Sequence, residues 1–314
     1  MNEILLGVGE YKTPPIELRN WVIQSTGSTQ VSLQAGSITH NDEFFIFGGR
    51  QGLSGSGRST AYRFNKTSLV ALRALPTTLI LPSVASDGNL IYIVGGCFNL
   101  VNGQESRKVY TYDPALDVYE ELVTMPFASL GGCSDILDGY LYVYGGLVNQ
   151  VEENLPRQFY RLNLTTKTWE QLTYHDATMG VHSSGSWIQD GKLYYYGGEN
   201  YYAGGRDQDI REYDPVAAKW TKLPRPSVAP AGRSVVMRRY TDDSLYLMGG
   251  RIADGQVVAD CWLYTISTNT WTKCKNFLAG IAFQSLLVNG DDIYCVEGYG
   301  GGGLAHSGIY RLQQ

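Results

Sequence analysis

The sequence has little of what marks most catalytic and metal-binding chains. It holds five cysteines, an odd number, and no Cys-x-x-Cys pair. That argues against a disulfide framework and against a zinc site. Cys97, Cys133, Cys261, Cys274 and Cys295 sit on or beside expected strands. They read as small buried apolar residues of a reducing compartment. The four histidines, His40, His175, His182 and His306, follow no metal-ligand spacing. No Gly-x-Ser-x-Gly sequence marks a nucleophile, and nothing marks a catalytic cysteine. The run Tyr299-Gly-Gly-Gly-Gly303 is followed by no Lys-Ser/Thr pair, so it lacks the pattern of a phosphate-cradling loop.

Basic charge is also scarce. The formal net charge is −5 and the pI about 5.4. A nucleic-acid partner is not expected, because phosphate binding rests on a basic footprint. No apolar run reaches transmembrane length. Residues 1–10 carry no basic segment and too short an apolar run for a signal peptide, so a cytoplasmic location is expected. The triplets at Asn65 and Asn163 then have no consequence for glycosylation.

What the chain does have is repetition. Glu43-Phe-Phe-Ile-Phe-Gly-Gly49 returns as Leu90-Ile-Tyr-Ile-Val-Gly-Gly96, Tyr140-Leu-Tyr-Val-Tyr-Gly-Gly146, Lys192-Leu-Tyr-Tyr-Tyr-Gly-Gly198 and Ser244-Leu-Tyr-Leu-Met-Gly-Gly250. A sixth, altered copy is Asp292-Ile-Tyr-Cys-Val-Glu-Gly298. The copies are 47 to 52 residues apart, the spacing of one repeated supersecondary unit. Five aromatic or branched residues in a row favour a strand buried on both faces. The glycines end it where the backbone must turn or approach another strand without a Cβ.

Each unit divides into four strands, a to d from the inside out. Strand a of the first unit lies near 35–40, and strand b is the stretch before the glycines. Strand c carries a tyrosine and an apolar residue two positions on, as in Tyr62-Arg-Phe-Asn65, Tyr110-Thr-Tyr-Asp113 and Tyr160-Arg-Leu-Asn163. Strand d opens on an aromatic, as in Tyr119-Glu-Glu-Leu122, Trp169-Glu-Gln-Leu172, Trp220-Thr-Lys-Leu223 and Trp271-Thr-Lys-Cys274. Leu69 stands there in the first unit. The a–b connections are Asn41-Asp42, Asp87-Gly88, Asp138-Gly139, Asp190-Gly191, Asp242-Asp243 and Asn289-Gly290, residues suited to two-residue hairpins. The sixth unit lacks a strand d. Trp21-Val-Ile-Gln24 has the missing aromatic and is expected to pair near Tyr310, closing the ring and removing an open sheet edge. Pro14-Pro15 argues that residues 1–20 form an extended arm ahead of a propeller over 21–314.

Double glycine after an apolar strand, then tyrosine, then tryptophan, at a period near 50, resembles the kelch repeat of β-propellers. The resemblance covers roughly residues 21–314, with Glu297 and Leu69 as departures. It implies an all-β, six-bladed propeller of four-stranded antiparallel blades. Many such propellers are interaction scaffolds, so a non-catalytic binding module for a protein partner is the leading expectation. The family also includes a bacterial mutarotase of acidic sugars, which makes a carbohydrate-binding or carbohydrate-isomerising propeller the alternative. A virion or surface adhesin is a third reading. Copper oxidases of the family use Tyr and His ligands, but the match here carries only the repeat, and no cofactor is expected.

Strand alternation puts the a–b and c–d turns on one face and the longer b–c and d–a connections on the other. Function is expected on the second face, around the channel mouth. Arg58, Arg107, Arg157 and Arg206 each precede a strand c, and Arg50, Arg233 and Arg251 join them as a candidate arginine ring for acidic peptides or sugar acids. The alternative is that these arginines brace loops against Glu105, Glu152, Glu153, Asp207 or Asp209. Tyr201 and Tyr202, within the loop from Glu199 to Arg206, would suit stacking on a sugar or a protein contact if exposed, and loop packing if buried. Glu297 is either a hydrogen-bond acceptor or base, or the product of drift in an irregular last blade.

Overall fold

The computed structural model describes all residues except 1–13, 27–32, 53–55, 101–103, 148–157, 176–183, 201–204, 207, 227, 229, 231–235, 252–255 and 301–304. Six four-stranded antiparallel sheets stand around a central channel. Blade 1 is Gly36–His40, Glu43–Phe47, Ala61–Phe64 and Leu69–Ala71; blade 2 is Ser83–Ser86, Ile91–Val94, Val109–Asp113 and Val118–Glu121. Blade 3 is Cys133–Leu137, Tyr140–Tyr144, Phe159–Asn163 and Trp169–Gln171; blade 4 is Gly185–Gln189, Lys192–Tyr196, Ile210–Asp214 and Lys219–Lys222. Blade 5 is Val236–Thr241, Ser244–Met248, Cys261–Thr265 and Thr270–Cys274. Blade 6 combines Ser285–Asn289, Asp292–Tyr299 and Ala305–Leu312 with Trp21–Thr26.

The core lies between blades. Strand b is buried on both faces, as its aromatic and branched run requires: Phe44, Phe45, Ile46 and Phe47 have almost no exposed surface. Alternate residues of b and c meet those of the next blade. Phe45 and Phe47 join Ile91, Ile93 and Tyr112 between blades 1 and 2, and Tyr142, Tyr144 and Phe159 join Tyr195 and Tyr213 between blades 3 and 4. Strands d face water along most of their length.

The glycine pairs have a geometric cause. Gly95 has φ +66, and a Cβ there would stand 2.2 Å from the carbonyl oxygen of Ser129. The neighbouring Gly96 N–H donates to that same carbonyl at 2.7 Å. Gly48–Gly49 and Gly249–Gly250 repeat the arrangement with Leu79 and Ile281. Each pair is therefore where the connection into the next blade is pinned.

The a–b hairpins turn as their residues dictate. Asn41 and Asp42, Asp138 and Gly139, and Asp190 and Gly191 all have positive φ, the conformation that matches the twist of the flanking strands.

Closure is as the sequence implies. Trp21 pairs with Leu312 and Ile23 with Tyr310. The Trp21 ring is 4% exposed and meets Phe277 edge-on at 5.3 Å. The segment before it is also fixed. Ile16–Leu18 forms one 3-10 turn, Ile16 is buried in the core between blades 5 and 6, and buried Arg19 pairs with Asp291 at 2.7 Å. The part of the arm before residue 14 lies outside the described residues. The five cysteines are free and buried.

Candidate functional site

The face carrying the b–c and d–a connections is built on a backbone collar. Leu33, Ile80, Leu130 and Ala282 each form a bridge with the residue after the glycine pair of their own blade: Arg50, Cys97, Leu147 and Tyr299. The next residue, Gln34, Leu81, Gly131 or Phe283, is left-handed. Its N–H reaches the neighbouring blade: Gln34 donates to Phe283, Leu81 to Gln34 and Gly131 to Leu81, at 2.7 to 3.1 Å. Blades 6, 1, 2 and 3 are thereby linked edge to edge around the mouth of the channel.

Inside the collar lies a cavity of about 170 Å3, walled by residues on or just ahead of the inner strands of all six blades. Its lining is mixed. Val84, Met237 and Phe283 supply apolar surface, while Gln34, Ser134, Ser186, Arg238 and Gln284 supply polar groups. Arg238 reaches from blade 5 to blade 1, where its Nη2 donates to the Ser37 carbonyl at 2.7 Å. Burial lowers its basicity to about 10, with Cys133 and Asp135 acting in the opposite direction. Asp135, next to lining residue Ser134, is held up at about 6 by burial, against a hydrogen bond from Ser186 and the charge of Arg238.

The expected arginines divide. Arg107 donates Nε–H to the Met125 carbonyl at 2.8 Å, so it braces the connection into blade 3. Arg251 lies over the Phe283 ring at 5.8 Å and so flanks the cavity mouth. Arg58 is half-buried and bridges Leu79 through its backbone. Arg50 is 8% exposed, a buried cation beside Cys97, whose thiol burial pushes up to about 12. Glu199 and Arg206 are brought together: they are cross-strand partners in a small hairpin, Glu199–Asn200 with Gly205–Arg206. Arg157, Tyr201, Tyr202 and Arg233 lie outside the described residues, as do Glu152, Glu153 and Asp207.

The other candidates take packing positions. Burial works to raise the Asp209 carboxyl, but Lys222 and Arg225 outweigh it and hold the group below the usual carboxylate range. His175 bonds the Tyr144 hydroxyl at 3.1 Å within an aromatic cluster that includes Trp220. His306 lies 3.0 Å from the Gly280 carbonyl, and His182 is outside the described residues. Glu297 occupies the glycine position with φ +48, buried, where the register with strand c shifts. The sequence reading missed Asp135 and Arg238 on inner strands, and Gln34 and Gln284 just ahead of inner strands. The sequence offers one signal there, the arginine pair Arg238-Arg239 directly ahead of the Asp242-Asp243 turn.

The model of the KLHDC2/KLHL20/DRC7 Kelch-repeats domain matches residues 83–301. Kelch domain-containing protein 1 of Mus musculus is 21% identical over 275 residues, covering 60% of this chain and 67% of that protein. Spermatocyte protein spe-26 of Caenorhabditis elegans is 23% identical over 218 residues, covering 68% of this chain. Kelch-like protein 25 of Xenopus tropicalis is 25% identical over 231 residues, covering 70%. The chain spans only 36% of the length of each of the last two relatives. Among solved structures, that of YjhT superposes with a TM-score of 0.73 at 18% identity, covering 91% of this chain and 99% of that one, a likeness of fold.

Proposed function

This chain belongs to the kelch-repeat family, and on that premise we propose that it is a non-catalytic scaffold that recognises a protein partner through its b–c/d–a face. Kelch propellers are typically protein-interaction scaffolds. The observation that carries the choice of face is the asymmetry of the two ends. One end has short hairpins such as Asn41–Asp42 and Asp190–Gly191; the other has connections of about a dozen residues set on the backbone collar. Variable loops on a rigid frame are where recognition concentrates. The experiment is partner capture by the full chain, comparing Arg107→Glu/Arg251→Glu on the loop face with Arg63→Glu on the outer sheet. Loss of the partner with the first pair alone is the expected result. Capture that survives the loop-face pair and fails with Arg63→Glu would refute the choice of face.

A carbohydrate-binding or carbohydrate-isomerising role is the second reading. The pairing of Glu199 with Arg206 favours it, because it sets an acidic and a basic residue at one cross-strand position. A glycan and sugar-acid array with a Tyr201→Ala/Arg206→Ala control tests it. Specific binding lost in the control would move the assignment to carbohydrate.

A further inference from the structure

Blade 5 carries two cysteines at directly opposed positions. Cys261 opens its strand c, Cys274 ends its strand d, and the two are register partners. In blades 1 to 4 the strand d residue at that position is a leucine, Leu72, Leu122, Leu172 or Leu223. Its N–H donates to the carbonyl of an apolar residue on strand c at 2.8 to 3.0 Å. Blade 5 has a thiol on both strands instead. Opposed residues of an antiparallel ladder stand about 4.5–5.5 Å apart at Cα, with their side chains on one face. A disulfide spans about 4.4–6.8 Å between Cα atoms, so the backbone is already spaced for the bond.

Both thiols are free and lie in one core cluster with Trp21, Phe277 and Cys295. Cys295 belongs to blade 6, where its own register partners are Leu286 and Tyr310. Cys274 is the accessible member of the pair. It is 4% exposed, at the end of an outermost strand whose Thr272 and Lys273 face water, while Cys261 is wholly buried. Burial raises both thiols, Cys261 to about 11 and Cys274 to about 12, so they stay protonated while the strand is seated. Reaction therefore goes through fraying of strand d, which has few buried contacts to lose. The two positions also border functional ground. Lys275, next to Cys274, holds the segment that closes the ring: its N–H donates to the Glu17 carbonyl and its Nζ to Asn20 Oδ1, both at 3.1 Å. Cys261 ends the b–c connection that carries Arg251.

We propose that Cys261 and Cys274 form a redox-modification site, in which a low-molecular-weight disulfide oxidises them to a cross-strand bond that clamps the outer seam of blade 5. The Cys274 thiolate attacks the small disulfide, whose S–S bond breaks and releases one thiol. Cys261 then attacks the Cys274 sulfur of the mixed disulfide and expels the second thiol. Two protein thiols give up two electrons and two protons, and the external disulfide takes up both. The bond fixes the root of the b–c connection to the strand that holds the ring-closing segment. It involves no partner protein, so its test is separate from that of the scaffold reading.

The experiment holds the native full chain in glutathione buffers of rising oxidised fraction. Remaining thiols are alkylated before denaturation, and peptides are mapped by mass spectrometry without reduction. The expected product is one linked peptide pair containing Cys261 and Cys274, with Cys97, Cys133 and Cys295 alkylated and elution on size-exclusion unchanged. The oxidised chain should unfold in denaturant about tenfold more slowly, and a dithiol should restore the parent rate. Cys274→Ser should abolish both the link and the redox effect on unfolding; Cys295→Ala should abolish neither. If Cys274→Ser fails to fold, the peptide map of the parent chain carries the test. A link through Cys295, mixed disulfides alone, or all thiols alkylated in fully oxidised glutathione would each refute the proposal. A linked chain that unfolds as fast as the reduced one would refute the clamp.

Discussion

The N–H of Leu81 donates to the carbonyl of Gln34 at 2.7 Å, and both residues have left-handed backbones, φ +52 and +62. Neither is glycine, and such conformations cost on the order of 1–2 kcal/mol each. They persist because the same turn closes the link between blades 1 and 2 and aims the start of each inner strand into the channel. Strain at this position is the geometric condition for a defined mouth.

Gly95→Ala should be among the most damaging single changes. The new Cβ would stand 2.2 Å from a backbone carbonyl that has no freedom to retreat, because Gly96 holds it. A loss of about 3 kcal/mol or more is expected. Gly88→Ala, with φ +88 and nothing within 4 Å, should cost only about 1 kcal/mol. Denaturant unfolding of the two variants side by side checks the contrast.

Trp21→Ala should loosen the ring. It empties a site packed by Phe277 and Tyr246, and a large-to-small change of this kind costs about 3–5 kcal/mol. Trp21→Phe should cost much less. Thermal unfolding followed by size-exclusion chromatography would read both the destabilisation and any association through a freed edge.

Asp135→Asn should stabilise the protein at neutral pH. The folded carboxyl sits at about 6 against an ordinary value of 3.8, so the folded state holds the proton more tightly. The native residue's contribution to stability therefore falls as pH rises from about 4 to 6 and stays low above that. The variant's advantage should be near zero at pH 3.5 and on the order of 3 kcal/mol at pH 7. A variant that gained nothing between those two pH values would contradict the burial argument. The comparison is of unfolding free energies at each pH.

Glu297→Gly should be tolerated and mildly stabilising, by up to about 1 kcal/mol, since φ +48 suits glycine and the side chain is buried. Chemical denaturation against the parent chain measures it. A large loss would show that the carboxylate itself holds the last blade.

The propeller was legible in the sequence because its constraints recur. Gly48, Gly95 and Gly249 are glycine for one steric reason, and Asp138-Gly139 and Asp190-Gly191 are turn residues for another. Trp21 could be assigned to blade 6 because the aromatic it supplies was missing there. The cavity was not legible. Ser37, Asp135, Ser186 and Arg238 come from four different inner strands, with no shared motif and with up to about 200 residues between them. Only the ring geometry makes them neighbours. The arginine-ring expectation had the opposite difficulty. Arg107, just ahead of strand c, meets a carbonyl, and Arg251, just after the glycine pair, meets an aromatic face, so one side-chain type does not make one ring.

Blade 6 also has a consequence for the order of events in folding. Trp21 must find Leu312, a partner synthesised nearly 300 residues later. Blades 1 to 5 can each zip locally as they emerge, but the outermost seam of blade 6 joins the most distant segments of the described chain. Contacts of such long sequence separation are slow to form. Trp21–Thr26 therefore stays unpaired throughout synthesis, until Ala305–Leu312 emerges to take it. That last seam is where chaperone dependence and domain-swapped dimers would arise first.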